Sequence, residues 1–203
     1  MKITKDTKLS ELIHLIEDEF SPELCNEIIE EYEEDSLWRN STTVNNTEGY
    51  RTCIEIPISD ERVMSKNPRR RELDSIVFTK VSEIAINYAD VFDGFLGYNQ
   101  DSGYTLLKYG EGKFYKEHTD DFQSLITDAQ GNIKRDSLIK RKITLIVQLN
   151  DDFEGGGLSF FNDTYKVKVK QGSVILFPSV YMYPHQALPV TKGTRWSLIT
   201  WLD

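Results

Sequence analysis

The sequence predicts an α+β fold in which helices from the first half pack on an antiparallel β core built from the second. Three observations carry this. Over 71–92 the apolar residues Leu73, Ile76, Val77, Val81, Ile84, Ala85 and Tyr88 recur at helical spacing. After Gly97 the chain breaks into eight short β-rich runs separated by Gly, Asn, Asp and Pro, the density of an antiparallel sandwich or barrel. The 203 residues are 39% hydrophobic, with ten Phe, ten Tyr and three Trp, enough to build one core. Neither an internal repeat nor a flexible linker interrupts them, so a single domain is expected over 1–203: a helical and strand support region to residue 97, then a β core over 98–203.

The elements follow in order. LIHLI at 12–16 is a short apolar run suited to a buried strand. Ser21-Pro22-Glu23 combines a capping hydroxyl, a proline whose missing N–H costs nothing there and an acid near the positive helix end, so a helix should run from here to about Asp35. Its buried stripe would be Leu24, Ile28, Ile29 and Tyr32. The next 35 or so residues read as irregular, with a short strand near 51–58; Arg69-Arg70-Arg71 reads as a loop or helix approach. The 71–92 helix should stop at Asp93-Gly94. Strands are expected at 103–109, 113–118, 142–149, 157–161, 165–170, 173–178, 183–188 and 194–202. Lys166, Lys168 and Lys170 alternate, which marks a solvated or edge strand. Gly155-Gly156-Gly157 lacks the Lys-Ser/Thr of a phosphate loop and reads as a turn. The long polar insertion at 121–140 is either a lid or substrate clamp, or a surface hairpin.

Twenty-four Lys and Arg against 33 Asp and Glu give a net charge of −9, which argues against general nucleic-acid binding or an anionic membrane as partner. No run approaches the roughly 18 apolar residues of a membrane span, and the start has no signal-peptide pattern, so a cytoplasmic protein is expected. Cys25 and Cys53 have no CxxC or Cys/His pairing and are expected as buried, reduced side chains. The oligomeric state is not legible.

Any chemistry needing imidazole has three histidines to draw on, and His14 lies in the first expected strand, where a core or edge role suffices. His118 and Asp120 are two apart, so on an extended segment both side chains point to one face. That pair is weak by itself, but His185 supplies a second imidazole in the β half. Two His and one carboxylate form the facial triad of a non-haem Fe(II) oxygenase, with coordination positions left open. A closed zinc site would need a fourth protein ligand, and no spare Cys or His remains in this half. Ten residues after His185, Arg195 is suited to pair with a carboxylate through two charge-assisted hydrogen bonds. Fe²⁺ with one aspartate carries +1 and Arg195 brings the site to +2, which a dicarboxylic 2-oxo acid would neutralise.

The segments YGEGKFYKEHTD, RKITLIVQLND with FEGGGLSFF, VKQGSVILFPS and the closing GTRWSLITWL, in this order around His185, resemble the prolyl 4-hydroxylase-type branch of the Fe(II)/2-oxoglutarate dioxygenases. The similarity runs over about 103–202; HLIEDEFSPELCNEII and Arg51-Thr52 are weaker matches to the family's opening and its Arg-Thr pair. The resemblance implies a double-stranded β-helix, or jelly roll, of about eight antiparallel strands. It implies Fe(II) on His118, Asp120 and His185, 2-oxoglutarate on Arg195, O2 as the other co-substrate and ascorbate as a candidate reductant. Tyr109 sits where the family places a tyrosine hydroxyl beside the co-substrate; a barrel-lining residue is the equal alternative. Thr144 and Gln148 share one strand face and are candidate co-substrate contacts, although the family often has a tyrosine in place of Gln148. Arg141 and Trp201 match residues on the substrate side, against the plainer readings of a solvated cation and a core aromatic. The expected reaction is hydroxylation of a C–H bond with release of succinate and CO2, foremost prolyl 4-hydroxylation of a peptide or protein. The competing readings are the same chemistry on a free amino acid, another side chain or a small metabolite, and a non-catalytic metal- or sugar-binding jelly roll.

Overall fold

Ser21 opens the first α-helix as the sequence predicts: its hydroxyl accepts from the Leu24 N–H at 3.2 Å, and Pro22 begins α1, Pro22–Tyr32. The computed structural model describes residues 2–42, 48–93, 97–121 and 141–203. Before α1 lie a 3₁₀ turn, Leu9–Leu12, and strand β1, His14–Ile16, which therefore starts later than the run of apolar residues suggests. Cys25, Ile28 and Tyr32 form the buried face of α1. The helix stops short of Asp35, and the Trp38 indole N–H takes up the freed Tyr32 carbonyl at 2.8 Å.

Strands β2, Arg39–Asn40, and β3, Ile54–Pro57, and a one-turn helix α2, Glu61–Met64, lead into the long helix α3, Pro68–Val91. Helix α3 begins earlier than its apolar spacing suggests because the Asn67 side chain caps the Arg69 N–H at 3.0 Å and Pro68 occupies the first turn. The three arginines are thus the opening turn of a helix, not a loop. Arg70 is buried and binds Glu31 at 2.7 Å, Asp35 at 2.5 Å and the Val63 carbonyl at 3.2 Å, while Arg69 pairs with Glu27, so the cluster ties α3 to α1.

Every one of the eight expected β runs holds a strand. These are β4 Thr105–Tyr109, β5 Tyr115–His118, β6 Ile143–Gln148, β8 Leu158–Phe160, β9 Tyr165–Val167, β10 Val174–Pro178, β11 His185–Ala187 and β13 Arg195–Leu202. The two-residue β7, Glu154–Gly155, pairs with β12, Val190–Lys192, in a ribbon too short for periodicity to reveal. The main sheet has the order β1-β10-β6-β13-β4-β3-β2, and it faces a smaller sheet ordered β5-β11-β8-β9 with antiparallel neighbours throughout. This is the expected jelly-roll arrangement. Lysine-bearing β9 is an edge strand, and β1 is another, with His14 packed edge-on against the Tyr88 ring at 4.9 Å.

The main sheet separates two cores. Leu106, Leu145, Val147, Leu176 and Leu198 face the helices and pack with Ile28, Leu73, Val77 and Ile84. Their alternate neighbours Leu107, Ile146, Ile175 and Ile199 face the smaller sheet and meet Leu158, Phe160 and Ala187. The period of two therefore puts the polar Thr144 and Gln148 of β6, and Arg195 and Ser197 of β13, on the same face as Ile146, Ile199 and Trp201, toward the space between the sheets. Gly172 closes the turn before β10 with φ +80°, and its carbonyl accepts from the Glu19 and Phe20 N–H groups; a Cβ there would sit 2.1 Å from the Phe20 carbonyl oxygen. Helix α3 ends at Val91, just before the expected stop at Asp93-Gly94, with the Phe92 N–H on the Ala89 carbonyl; Gly94 and residues 122–140 of the insertion lie outside the described residues. Among the described residues no helix is long and apolar enough to cross a membrane. Both cysteines are free and buried.

Candidate active site

Strands β5 and β11 pair so that His118 and His185 are directly opposite, with ring centroids 4.3 Å apart. Asp120 follows two residues beyond His118 and places its carboxylate between the rings, Oδ1 3.5 Å from His118 Nε2 and Oδ2 3.6 Å from His185 Nε2. The candidate ligand atoms of all three residues lie within 4.8 Å of one another, the one such group among the described residues. Each imidazole is oriented from behind: His118 Nδ1 meets the Lys116 carbonyl at 2.8 Å, and His185 Nδ1 meets the Tyr183 carbonyl at 3.1 Å. With Nδ1–H donated to a carbonyl, the lone pair on each Nε2 is free and aimed at the common centre. Burial brings the His185 pKa down to about 4, so this ring is neutral at pH 7. Burial opposes ionisation of Asp120, but the neighbouring His185 and His118 outweigh it and hold the carboxyl well below the usual range. Two imidazole Nε2 atoms and a carboxylate that converge this way could hold a divalent metal on one face and leave the opposite face open.

A cavity of about 180 Å³ opens onto this triad between the two sheets. Arg195, 2% exposed, projects into it from β13. Its Nε donates to Gln148 Oε1 at 3.0 Å, whereas its two terminal nitrogens have no hydrogen-bond partner among the described residues. Burial pulls its pKa below that of an ordinary guanidinium. A buried cation with an unengaged donor fork is costly unless an anion meets it. Tyr109, opposite Arg195 in the β13–β4 register, lines the same cavity, its ring 5.5 Å from the guanidinium carbon. The Arg141 guanidinium carbon lies 3.6 Å from the Trp201 ring centroid, and both residues line the cavity.

Two of the expected co-substrate contacts are placed differently. Thr144 and Gln148 are not part of the described lining. The Thr144 hydroxyl donates to Asp120 Oδ2 at 2.8 Å and lies 2.9 Å from the Ser179 hydroxyl, so it aims the carboxylate. Gln148 donates from Nε2 to the Asn150 and Trp196 carbonyls, both at 2.9 Å, which turns its Oε1 toward Arg195. Both sit on the face of β6 that the alternation predicts, one layer behind the groups they orient. Sequence reasoning missed Tyr115 and gave Arg51 no role at the site. Tyr115 stacks on His118 with 3.5 Å between centroids, and the Arg51 guanidinium carbon lies 4.9 Å from the Tyr115 ring centroid. The Tyr115 signal was available, because it lies on the strand that carries His118; Arg51 reaches the site through an isolated bridge to Tyr115 that no spacing announces.

A profile of the 2OG-Fe(II) oxygenase superfamily matches residues 104–203, the stretch that carries the triad and Arg195. Over these residues the chain is a member of the 2OG-Fe(II) oxygenase superfamily. Family membership implies Fe(II), 2-oxoglutarate and O2 as cofactor and co-substrates, and the described donor set suits them. A PKHD-type hydroxylase of Idiomarina loihiensis is 32% identical over 101 residues, which is 49% of this chain and 41% of that protein. The chain thus spans about two fifths of the length of this curated relative. Among solved structures, a Trichoplax adhaerens prolyl hydroxylase in complex with a hypoxia-inducible-factor peptide fragment superposes with a TM-score of 0.69 at 19% identity, over 94% of this chain and 83% of that one. A Pseudomonas putida prolyl-4-hydroxylase gives 0.61 at 20% identity, over 95% and 92%. At these identities the likeness establishes the oxygenase fold, from β1 and the helices through the jelly roll.

Proposed function

We propose that this chain is an Fe(II)- and 2-oxoglutarate-dependent dioxygenase that hydroxylates a prolyl residue of a peptide or protein at its 4-position. The observation that carries the reading is the meeting in one cavity of a His-Asp-His face and a buried guanidinium with an unengaged fork. His118, Asp120 and His185 would hold the iron, which when bound supplies the oxidising chemistry for C–H hydroxylation coupled to decarboxylation of the 2-oxo acid. Arg195 would seat the distal carboxylate of 2-oxoglutarate, with Gln148 fixing the plane of its fork and Tyr109 beside it. The Lys116 and Tyr183 carbonyls hold the tautomers that keep both Nε2 atoms available. The inner faces of both sheets, through Leu107, Ile146, Leu158 and Ile199, exclude water from the space between Arg195 and the triad. Arg141 and Trp201 would contact the prolyl substrate. The peptide assignment draws support from the prolyl hydroxylases that share this fold.

The test is succinate formation from 2-oxoglutarate with Fe(II) and O2, with and without blocked prolyl peptides. Peptide-stimulated succinate together with hydroxyproline in the product supports the reading, and His118→Ala should abolish both. Succinate formation that no prolyl peptide stimulates would remove the prolyl assignment; no turnover under any condition would remove the enzyme reading.

A further inference from the structure

The cavity differs in charge from the rest of the molecule. Against a chain total of −9, its described lining carries three guanidiniums, Arg51, Arg141 and Arg195, and two carboxylates, Asp120 and the exposed Asp121. Asp120 belongs to the metal face. A resident divalent ion with Asp120 would be +1, and Arg195 would make +2, which dianionic 2-oxoglutarate would neutralise. Arg51 and Arg141 are not used in that balance.

Their placement is fixed. Arg51 is 9% exposed at its side chain and rests on Tyr115, which itself stacks on His118. Its nearest carboxylate oxygen, Glu55 Oε2, is 3.5 Å from Nη1, and Glu55 is also engaged by Arg39 at 3.0 Å and by the Ser41 hydroxyl at 2.8 Å. The Arg51 Nε–H is buried with no hydrogen-bond partner. Arg141 is held on Trp201 in the same cavity lining. Burial pulls the Arg141 pKa down; the Asp120 carboxylate and Tyr115 oppose this, and the charge of Arg51 adds a smaller push in the same direction as burial. Two cations held on aromatic faces in the lining of one cavity beside the triad are stabilised when an anion enters that cavity.

We propose that the primary substrate carries a carboxylate next to the reacting carbon and that Arg51, with Arg141, recognises it. The inference rests on the reading of the site as a 2-oxoglutarate oxygenase. The carboxylate could come from a Glu or Asp flanking proline in a peptide, or from the α-carboxylate of free proline. Loss of a charge-assisted hydrogen bond in so buried a position is worth at least about tenfold in affinity.

The test is calorimetric and anaerobic. Protein loaded with Mn(II) is titrated first with 2-oxoglutarate, then with matched probes: blocked prolyl pentapeptides differing only in Glu against Gln beside the proline, and L-proline against L-prolinamide. The expected result is that the carboxylate member of at least one pair binds about tenfold or more tightly than its amide. Arg51→Gln should reduce that gap to under about threefold, and Arg51→Lys should restore part of it. Equal affinity of acid and amide in the wild type, absence of binding by every carboxylate probe, or a gap unchanged in Arg51→Gln would each overturn the inference. Failure of 2-oxoglutarate to bind in the first titration would instead overturn the oxygenase reading on which it rests.

Discussion

Replacing Thr144 by valine removes one hydroxyl at nearly constant shape, and the surroundings make the effect calculable. The hydroxyl donates to Asp120 Oδ2 at 2.8 Å and meets the Ser179 hydroxyl at 2.9 Å; Thr144 is fully buried and Ser179 is 1% exposed, which leaves bulk water no access to replace it. A hydrogen bond to a charged group contributes roughly 1.5–3 kcal/mol. At about 1.4 kcal/mol per tenfold, full expression of that loss in the competence of Asp120 as a ligand is roughly 10- to 150-fold in metal affinity, in line with the 10- to 100-fold typical of outer partners of a metal site. Anaerobic calorimetry with Mn(II) measures it directly. Thr144→Val should bind Mn(II) at least about tenfold more weakly, while the affinity of the metal-loaded variant for 2-oxoglutarate stays close to wild type. Metal affinity within about twofold of wild type, or a loss confined to 2-oxoglutarate, would refute the orienting role and return Thr144 to the co-substrate wall.

Gln148→Leu removes the acceptor that holds Arg195 Nε and so frees the guanidinium plane; 2-oxoglutarate affinity should fall by about tenfold or more with Mn(II) affinity retained, and an unchanged 2-oxoglutarate titration would contradict the coupling. Arg70→Ala leaves Asp35, whose side chain is 2% exposed, without its closest cation, and should destabilise the protein by roughly 3–5 kcal/mol in urea unfolding; a cost under about 1 kcal/mol would show that the α1–α3 tie is dispensable. Burial raises the Cys25 thiol to about 11, and Cys25 and Cys53 are 0% and 1% exposed. Native protein at pH 8 should therefore resist thiol reagents at both positions, and urea should expose two reactive thiols; rapid native labelling would contradict the packing.

The parts of the fold that were legible share a physical cause. Each of the eight main strands buries at least part of one face, so alternation and turn residues register in the chain, as in Leu106 and Leu107 of β4, which serve opposite cores. The convergence of His118, Asp120 and His185 was legible because a metal-ligand set restricts residue type and the β half holds no competing Cys or His. What stayed hidden depends on long-range pairing. Arg70 reads as one charge in a run of three, and only the packing of α3 on α1 reveals it as buried and tied to Glu31 and Asp35. Thr144 and Gln148 were placed on the correct face, but a face does not say whether a polar group meets a ligand or another side chain. Their partners Ser179 and Arg195 come from β10's end and β13, which flank β6 on opposite sides. Arg51 was hidden for the same reason, since its stack on Tyr115 joins residues more than sixty positions apart.

The central claim is that His118, Asp120 and His185 form one metal face and that Arg195 binds the dicarboxylic co-substrate beside it. Sequential anaerobic titration of Mn(II) and then 2-oxoglutarate into wild type, His185→Ala and Arg195→Met tests it most directly. The account predicts one metal and one 2-oxoglutarate per wild-type chain, loss of metal binding in His185→Ala, and in Arg195→Met an intact metal site with 2-oxoglutarate weakened by about tenfold or more. Metal binding that survives His185→Ala, or equal 2-oxoglutarate affinity in Arg195→Met and wild type, would contradict it.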